Sequence, residues 1–174
     1  IKRVYDLHNI NLFTFTDSQD FLYIEELAQA LPDVGFHIGA YTDMGDILLA
    51  LDKYPNVYLY PSMVGAVIDE MIEKSDAYLD IHKGSPMDFI VNRYTSVDRP
   101  VLTFDVTNKN QLEQIVVSSQ SPQPMIEAIK ELKKDTMNMK AIVLGANYQY
   151  ADKVLTTIKS ICSHNRGLRF YLIN

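Results

Sequence analysis

Residues 56–88 constrain the fold more than any other part of the chain, because two short apolar runs flank one amphipathic segment. Val57–Tyr60 and Tyr78–Ile81 each have the length and composition of a buried strand. Between them, apolar residues recur at helical spacing, at Val64, Val67, Ile68, Met71 and Ile72. Two strands joined by one helix predict a right-handed βαβ crossover in a parallel sheet.

The segments that follow these two strands are the first candidates for a binding site. Ligands of open parallel sheets bind in the crevice outside the carboxyl ends of the strands. Those ends lead into Tyr-Pro-Ser at 60–62 and His-Lys-Gly-Ser-Pro at 82–86, which are short and polar or turn-forming. The sequence therefore predicts that both corners face one shared crevice.

Strand-like and helix-like segments alternate along the rest of the chain, which predicts an α/β fold with a doubly wound, Rossmann-like parallel sheet. Further strands are predicted at 12–15, 36–40, 101–104 and 114–117, and further helices at 86–97 and 125–132. Either Asp17 or Ser18 is expected to cap the first helix, and Thr42 and Asp43 the second. The inward-facing residues predicted for that second helix are Met44, Ile47, Leu48 and Leu51.

The predicted linker is Lys-Lys-Asp-Thr-Met-Asn at 133–138, which divides the chain into domains at 1–135 and 139–174. Beyond the linker, strand, helix and strand patterns recur at 141–144, 151–164 and 168–173, which predicts a C-terminal βαβ extension. This unit is too short to bury a core of its own. We expect it to extend the first sheet, to mediate self-association, or to begin a domain of a longer protein of which the chain is a fragment.

Composition argues against several classes of function. The net charge is −6 and no basic block is present, which argues against a general nucleic-acid binder. No apolar run approaches the ~20 residues of a membrane helix, and no signal-peptide pattern is present, so a cytoplasmic protein without a transmembrane segment is expected. Cys162 is alone, which excludes an internal disulfide framework. Four His residues with no pair at ligand spacing predict no protein-built metal site.

The tail AIVLGANYQYADKVLTTIKSICSHNRGLRFYLIN resembles the opening of a family-eight, GT-A-fold retaining glycosyltransferase. Such enzymes begin with a strand, an Ala-Asp/Asn-x-x-Tyr turn and a TTIKSI…HN helix, followed by a strand like FYLIN. By that resemblance, Ala146, Asn147 and Tyr150 would hold the uracil and ribose of a UDP-sugar. The chain stops before the Asp-x-Asp metal motif of these enzymes. No metal and no GT-A catalysis are therefore expected of this chain alone, whereas the full-length protein has room for a divalent metal.

Residues 11–134 are similar to the nucleotide-sugar-binding half of a GT-B glycosyltransferase, nearest to the adhesin-glycosylating proteins of the accessory secretion system. The matching segments are Thr16-Asp17-Ser18, Leu31–Met44, Leu51–Pro61 and Asp76–Gly84. This resemblance implies a donor crevice lined by loops that follow strands, including Thr16, Asp17, Tyr60, Pro61, His82, Lys83, Gly84 and Ser85. Some members with this pattern are non-catalytic partners that hold the acceptor protein.

Each candidate also has a purely structural interpretation. Gly84 permits close approach to a phosphate and Lys83 supplies a positive charge, yet both suit a plain strand–helix turn. His82 is a candidate for diphosphate binding or proton transfer, or it packs at a strand end. Asp88 is a candidate ribose or sugar acceptor, or it offsets the helix macrodipole. Asp80 has the spacing from Asp88 of the acidic pair in GT-B donor halves, but it falls within a predicted strand.

These observations predict part of a bacterial glycosyltransferase that binds a UDP-sugar and transfers the sugar to a protein or surface-glycan acceptor, the fragment alone being inactive. The alternative is a non-catalytic glycosyltransferase-like partner that binds the acceptor protein or a catalytic glycosyltransferase. A generic nucleotide-binding or response-regulator-like sheet is a third interpretation, but no acidic cluster follows the first predicted strand.

Overall fold

The structure, a computed structural model, describes residues 7–109, 114–138, 141–145 and 169–173. The chain divides into two compact units, Ile1–Lys130 and Glu131–Asn174.

The first unit contains a six-stranded sheet in which every neighbouring pair of strands is parallel. In chain order the strands are β1 (Ile10–Thr16), β2 (Val34–Ala40), β3 (Val57–Tyr60), β4 (Ala77–Asp80), β5 (Val101–Phe104) and β6 (Ile115–Val117). Across the sheet their order is β3-β2-β1-β4-β5-β6. The predicted α/β, Rossmann-like fold class is therefore confirmed.

Helices connect these strands, and one more helix follows the last of them. They are α1 (Ile24–Ala30), α2 (Asp46–Leu49), which continues as a 3₁₀ turn (Ala50–Lys53), α3 (Gly65–Lys74), α4 (Asp88–Thr95) and α5 (Gln123–Asn138). Phe13, Phe15 and Tyr78 from the strands form one buried cluster with apolar residues of α3 and α4. The alternate strand residues Leu12 and Thr14 are buried too, so both faces of the central strand are covered.

The predicted helix caps were wrong. Helix α1 begins at Ile24 after a loop at 17–23, and its N-cap is Tyr23, which has a left-handed backbone (φ 59°) and makes no side-chain capping bond. Helix α2 is capped by Gly45 and not by Thr42 or Asp43. In α2, Ile47 is 66% exposed instead of facing the core.

The predicted linker is also helical in the structure, because α5 extends to Asn138. The segment contains neither Gly nor Pro, and ion pairs at i,i+3 spacing, such as Glu131 with Lys134 at 3.0 Å, line this part of α5. The helix predicted to end at Leu132 therefore continues through this segment. The division into domains at 1–135 and 139–174 stays a prediction.

The second unit contains two strands, β7 (Ala141–Gly145) and β8 (Arg169–Ile173), which pair in parallel from Ala141 opposite Arg169 to Gly145 opposite Ile173. Parallel pairing is what the predicted βαβ extension requires. The predicted helix at 151–164, with Cys162, lies outside the described residues. Among the described residues, no helix has the length and apolar character needed to cross a membrane.

Candidate functional site

The strand order reverses between β1 and β4, which makes this point the expected binding position of the sheet. From β1 the chain continues outward to β2 and β3, whereas β4 leads to β5 and β6 on the other side. The loops that follow β1 (residues 17–23) and β4 (residues 81–87) therefore leave the same edge side by side. Open α/β sheets bind ligands in the crevice at such a switch point.

The two loops pair with each other at this edge. Phe21 and His82 form an isolated antiparallel bridge. The Leu22 N–H donates to the Ile81 carbonyl at 2.9 Å, and the Lys83 N–H donates to the Asp20 carbonyl at 2.9 Å. The loop after β1 is thereby fixed against the segment that leaves β4.

The turn at Gly84 and Ser85, predicted to contact a phosphate, contacts a carboxylate of the chain itself. Asp17 Oδ1 accepts a hydrogen bond from the Ser85 N–H at 2.9 Å. Hydrogen bonding from Ser85, first from its side chain and then from this N–H, lowers the pKa of Asp17. A Cβ atom on Gly84 would lie 2.0 Å from the same oxygen and 2.8 Å from Ser18 Cβ. Gly84 therefore does permit a close approach, but the approaching group in this structure is Asp17.

Asp80 and His82 form a buried polar pair beneath these loops. Their exposed fractions are 2% and 0%, and Asp80 Oδ1 lies 3.5 Å from His82 Nε2. Neither of these two atoms has a hydrogen-bond partner among the described residues. His82 Nδ1 accepts from the Gly84 N–H at 3.2 Å, which places the proton of the neutral ring on Nε2, the nitrogen nearer Asp80.

Burial dominates the titration of this pair. It raises the pKa of Asp80 to about 6, although Lys109 lowers it and Asp88 adds a smaller rise. It lowers the pKa of His82 to about 4, with Lys109 lowering it further and Asp17 raising it. At neutral pH, His82 is therefore uncharged and most Asp80 is ionised. Because His82 is fully buried, its ring makes no contact with a ligand outside the sheet in this conformation.

Two of the remaining predicted site residues, Thr16 and Lys83, have partners of their own. The Thr16 hydroxyl donates to the Ser18 carbonyl at 2.8 Å and accepts from the Ser18 N–H at 2.9 Å. Lys83 is exposed and lies 3.3 Å from Asp20 in an ion pair. Asp88 is exposed in the first turn of α4. Thr16 is therefore buried, whereas Lys83 and Asp88 face solvent.

Tyr60 and Pro61 lie at the same edge of the sheet, but β2 and β1 separate them from β4. Three strand spacings of about 4.8 Å put about 14 Å between the ends of β3 and β4. The Tyr60 hydroxyl pairs with His37 Nδ1 at 2.9 Å. The two corners share an edge, as predicted, but they are not neighbours. Ala146, Asn147 and Tyr150 lie outside the described residues.

Comparison with known proteins assigns the chain to a family. Residues 12–145 match the model of the GftB/GlyA-F C-terminal domain. The chain belongs to this family. It is 42% identical over 122 residues to glycosyltransferase GlyD of Streptococcus pneumoniae, and 30% identical over 130 residues to the Streptococcus agalactiae GtfB, named a stabilizing protein of a UDP-N-acetylglucosamine–peptide N-acetylglucosaminyltransferase. These alignments cover 70% and 73% of this chain, but 15% and 29% of the relatives.

Solved structures show the same fold for this GftB/GlyA-F C-terminal domain. A crystal structure of glycosyltransferase GlyE from Streptococcus pneumoniae matches with a TM-score of 0.68 and 31% identity, covering 72% of this chain and 33% of that chain. A GtfA/B complex bound to UDP and GlcNAc matches with a TM-score of 0.65 at 23% identity, covering 91% and 33%, and shows the fold alone. The family domain thus spans a third or less of each of these relatives, which include glycosyltransferases and a stabilizing protein of one.

Lys109 is the residue of this family domain that sequence reasoning missed. It follows β5, is half-buried, and donates from Nζ to the His82 carbonyl at 2.6 Å. Burial lowers the pKa of Lys109, whereas Asp80 and Asp17 raise it. Its position just beyond a predicted strand was the available signal, but its contact with His82 spans 27 residues of sequence.

Among the described residues, no group of three or more His, Cys, Asp and Glu residues is arranged to hold a metal ion.

Proposed function

We propose that this chain is the nucleotide-sugar-binding part of a bacterial glycosyltransferase of GT-B type, which transfers a sugar from a UDP-sugar to a protein or surface-glycan acceptor. Family membership and the relatives named glycosyltransferases support this assignment. The observation that carries it is the switch-point edge, where loops after β1 and β4 meet Lys109 above the buried Asp80–His82 pair. Buried ionisable groups with shifted pKa values are concentrated at functional sites.

The residues at this edge suit recognition of a diphosphate only after one local change. Lys109 would supply positive charge, and the Ser85 N–H would donate to a phosphate oxygen. In the structure that N–H is bonded to Asp17, so a phosphate must displace the carboxylate. The proposal thus makes Asp17 a competitor of the ligand and Lys109 its counter-charge. The roles predicted for Ala146, Asn147 and Tyr150 in holding the uracil and ribose remain part of this proposal.

Calorimetric titration of the chain with UDP, UDP-glucose and UDP-GlcNAc tests the proposal. Lys109→Ala should weaken binding about tenfold or more, because a charge-assisted contact is worth about 1.5–3 kcal/mol. Lys130→Ala, which removes an exposed lysine paired with Glu127 on α5, is the matched control and should leave affinity unchanged. Asp17→Ala should strengthen binding by freeing the Ser85 N–H. If millimolar nucleotide gives no heat with the wild-type chain or with Asp17→Ala, the donor-binding proposal is wrong.

A non-catalytic partner is the second candidate, and one feature of the structure favours it. The two groups predicted to meet a diphosphate are already engaged by acidic residues, the Ser85 N–H by Asp17 and Lys83 by Asp20. One relative is itself named a stabilizing protein. Under this alternative the chain binds an acceptor protein or a catalytic glycosyltransferase without nucleotide. Sedimentation of the chain with a Ser/Thr-rich acceptor peptide, without UDP, should then show a complex, which the donor-binding function does not require.

We also propose a cytoplasmic location for the protein.

We further propose self-association through the second unit, since β7 and β8 form a two-stranded sheet that would be extended by pairing. Sedimentation of the chain alone over a range of concentrations measures that association.

A further inference from the structure

Two exposed aromatic rings lie together at the carboxyl edge of the sheet. Tyr41 directly follows β2, and Phe89 is in the first turn of α4. Their side chains are 56% and 43% exposed. The ring centroids are 6.4 Å apart and the ring planes differ by 22°, so the rings are nearly parallel. Large exposed apolar groups that cluster in this way commonly mark a binding surface.

The pair rests on a buried ring that fixes its position. Phe15, at the carboxyl end of β1, is fully buried and contacts both rings edge-on. Its centroid is 4.6 Å from that of Tyr41 and 6.3 Å from that of Phe89, with interplanar angles of 85° and 80°. Edge-to-face contacts of this kind are a favoured aromatic geometry. Both exposed rings are therefore held in place by the core.

The backbone that carries Tyr41 is fixed as well. The Ser62 N–H donates to the Thr42 carbonyl at 3.0 Å, and the Met63 N–H donates to the Ala40 carbonyl at 2.8 Å. The Ser62 hydroxyl donates to Asp43 Oδ1 at 3.0 Å. These bonds join the loop after β2 to the loop after β3. A ring that is already ordered loses little conformational freedom when a ligand packs on it.

Three acidic residues near the aromatic pair in sequence bear on the kind of ligand that suits it. Asp43 and Asp46 follow Tyr41 in the same loop and helix start, and Asp88 precedes Phe89; all three are exposed. An anion such as a phosphate is disfavoured next to these carboxylates. A neutral ligand with hydroxyl groups is favoured, because carboxylates accept hydrogen bonds from hydroxyls.

We propose that Tyr41 and Phe89 form a platform for a neutral pyranose ring, with Asp43 and Asp88 available to accept hydrogen bonds from its hydroxyls. The C–H groups on one face of a pyranose make an apolar surface that packs on the electron-rich face of an aromatic ring. The choice of a sugar as the ligand rests on the proposed glycosyltransferase function. The sugar has two sources with the same chemistry, the transferred unit of the UDP-sugar and a glycan on the acceptor.

Nuclear magnetic resonance titration of the ¹⁵N-labelled chain tests the platform. The ligands are GlcNAc, methyl glucoside, N,N′-diacetylchitobiose, UDP and UDP-GlcNAc. Free saccharides should shift the ring and amide resonances of Tyr41 and Phe89. Tyr41→Leu and Phe89→Leu should each weaken saccharide binding about tenfold, since they keep apolar bulk but lose the ring face.

Two controls separate this role from a general effect on folding. Tyr41→Phe keeps the ring and should retain affinity, and Leu49→Ala removes an exposed apolar residue of α2 and should change nothing. Amide spectra of every variant report whether it remains folded. If Tyr41→Leu unfolds, Phe89→Leu and the shifts of the wild-type chain still decide the question.

The ligand series also distinguishes the outcomes. Shifts with chitobiose alone identify the ligand as an acceptor glycan. If UDP-GlcNAc binds more tightly than UDP, and Tyr41→Leu abolishes this difference in affinity, the ligand is the donor sugar. UDP binding without any saccharide effect at these rings overturns the platform and leaves the proposed function standing. Saccharide binding without UDP binding supports the platform and counts against donor binding. Loss of acceptor-protein binding in Tyr41→Leu, with no saccharide shift, would make the rings a protein contact and overturn the proposal.

Discussion

The Asp80→Asn substitution tests the cost of holding a carboxylate inside the carboxyl edge of the sheet. Asp80 is 2% exposed, and its Oδ1 has no hydrogen-bond partner among the described residues. Burial raises its pKa from 3.8 to about 6. Asn has nearly the same shape and no charge, so the variant isolates the cost of ionisation.

The sign of the effect follows from the direction of that shift. Because the folded pKa of Asp80 lies above the unfolded value, its proton stabilises the fold below about pH 4, and this contribution is lost as the pH rises through about 6. A rise from 3.8 to about 6 corresponds to about 3 kcal/mol of unfolding free energy at neutral pH. The pKa values of His82 and His37 are lowered to about 4 and about 3 in the folded protein. Their contribution to the unfolding free energy therefore has the opposite pH dependence, and it is lost as the pH falls below 6.5.

Urea unfolding of the wild-type chain and Asp80→Asn between pH 4 and pH 8 measures the difference directly, since the two histidines are present in both proteins. The variant should match the wild type near pH 4 and exceed it by up to about 3 kcal/mol above pH 7. A variant that is less stable than the wild type at pH 7 would refute the reasoning. A difference that does not change with pH would do the same.

Two further substitutions test contacts that shape the site and its support. Asn56→Ala should lower the unfolding free energy by about 2–3 kcal/mol, because the buried Asn56 amide donates to three backbone carbonyls at 3.0–3.1 Å, and exposed Asn92→Ala is the control in the same urea assay. Gly84→Ala should lower the unfolding free energy by about 1–3 kcal/mol, because the added Cβ would lie 2.0 Å from Asp17 Oδ1. Displacing Asp17 should also return its pKa towards the ordinary value. An unchanged Asp17 titration by carbon-detected NMR would show that the contact with Ser85 is not what lowers this pKa.

The fold could be predicted because hydrophobic periodicity reports directly on buried strands and helices. Val57–Tyr60 and Val101–Phe104 were placed at their observed bounds for that reason. The helical spacing of apolar residues does not show how wide the buried face of each helix is. Ile47 was therefore expected to face the core, although it is 66% exposed. The helix predicted to end at Leu132 continues to Asn138, because polarity alone does not end a helix.

The site was harder to predict, because its contacts join distant parts of the sequence. Asp17 and Ser85 are 68 residues apart, and no local pattern reports that their loops meet. Asp17 looked like a helix cap, but the helix begins seven residues later, at Ile24. His82 was placed correctly at the end of a strand, yet its complete burial depends on the loop that folds over it.

We propose that a nucleoside diphosphate binds at the edge of the sheet where β1 and β4 diverge. Amide chemical-shift mapping of the ¹⁵N-labelled chain during titration with UDP is the decisive test. We expect the largest shifts on the Gly84 and Ser85 amides and on the residues around Asp17 and Lys109, and we expect Lys109→Ala to reduce them. Saturable shifts confined to another part of the sheet, or no shifts at millimolar UDP, would contradict it.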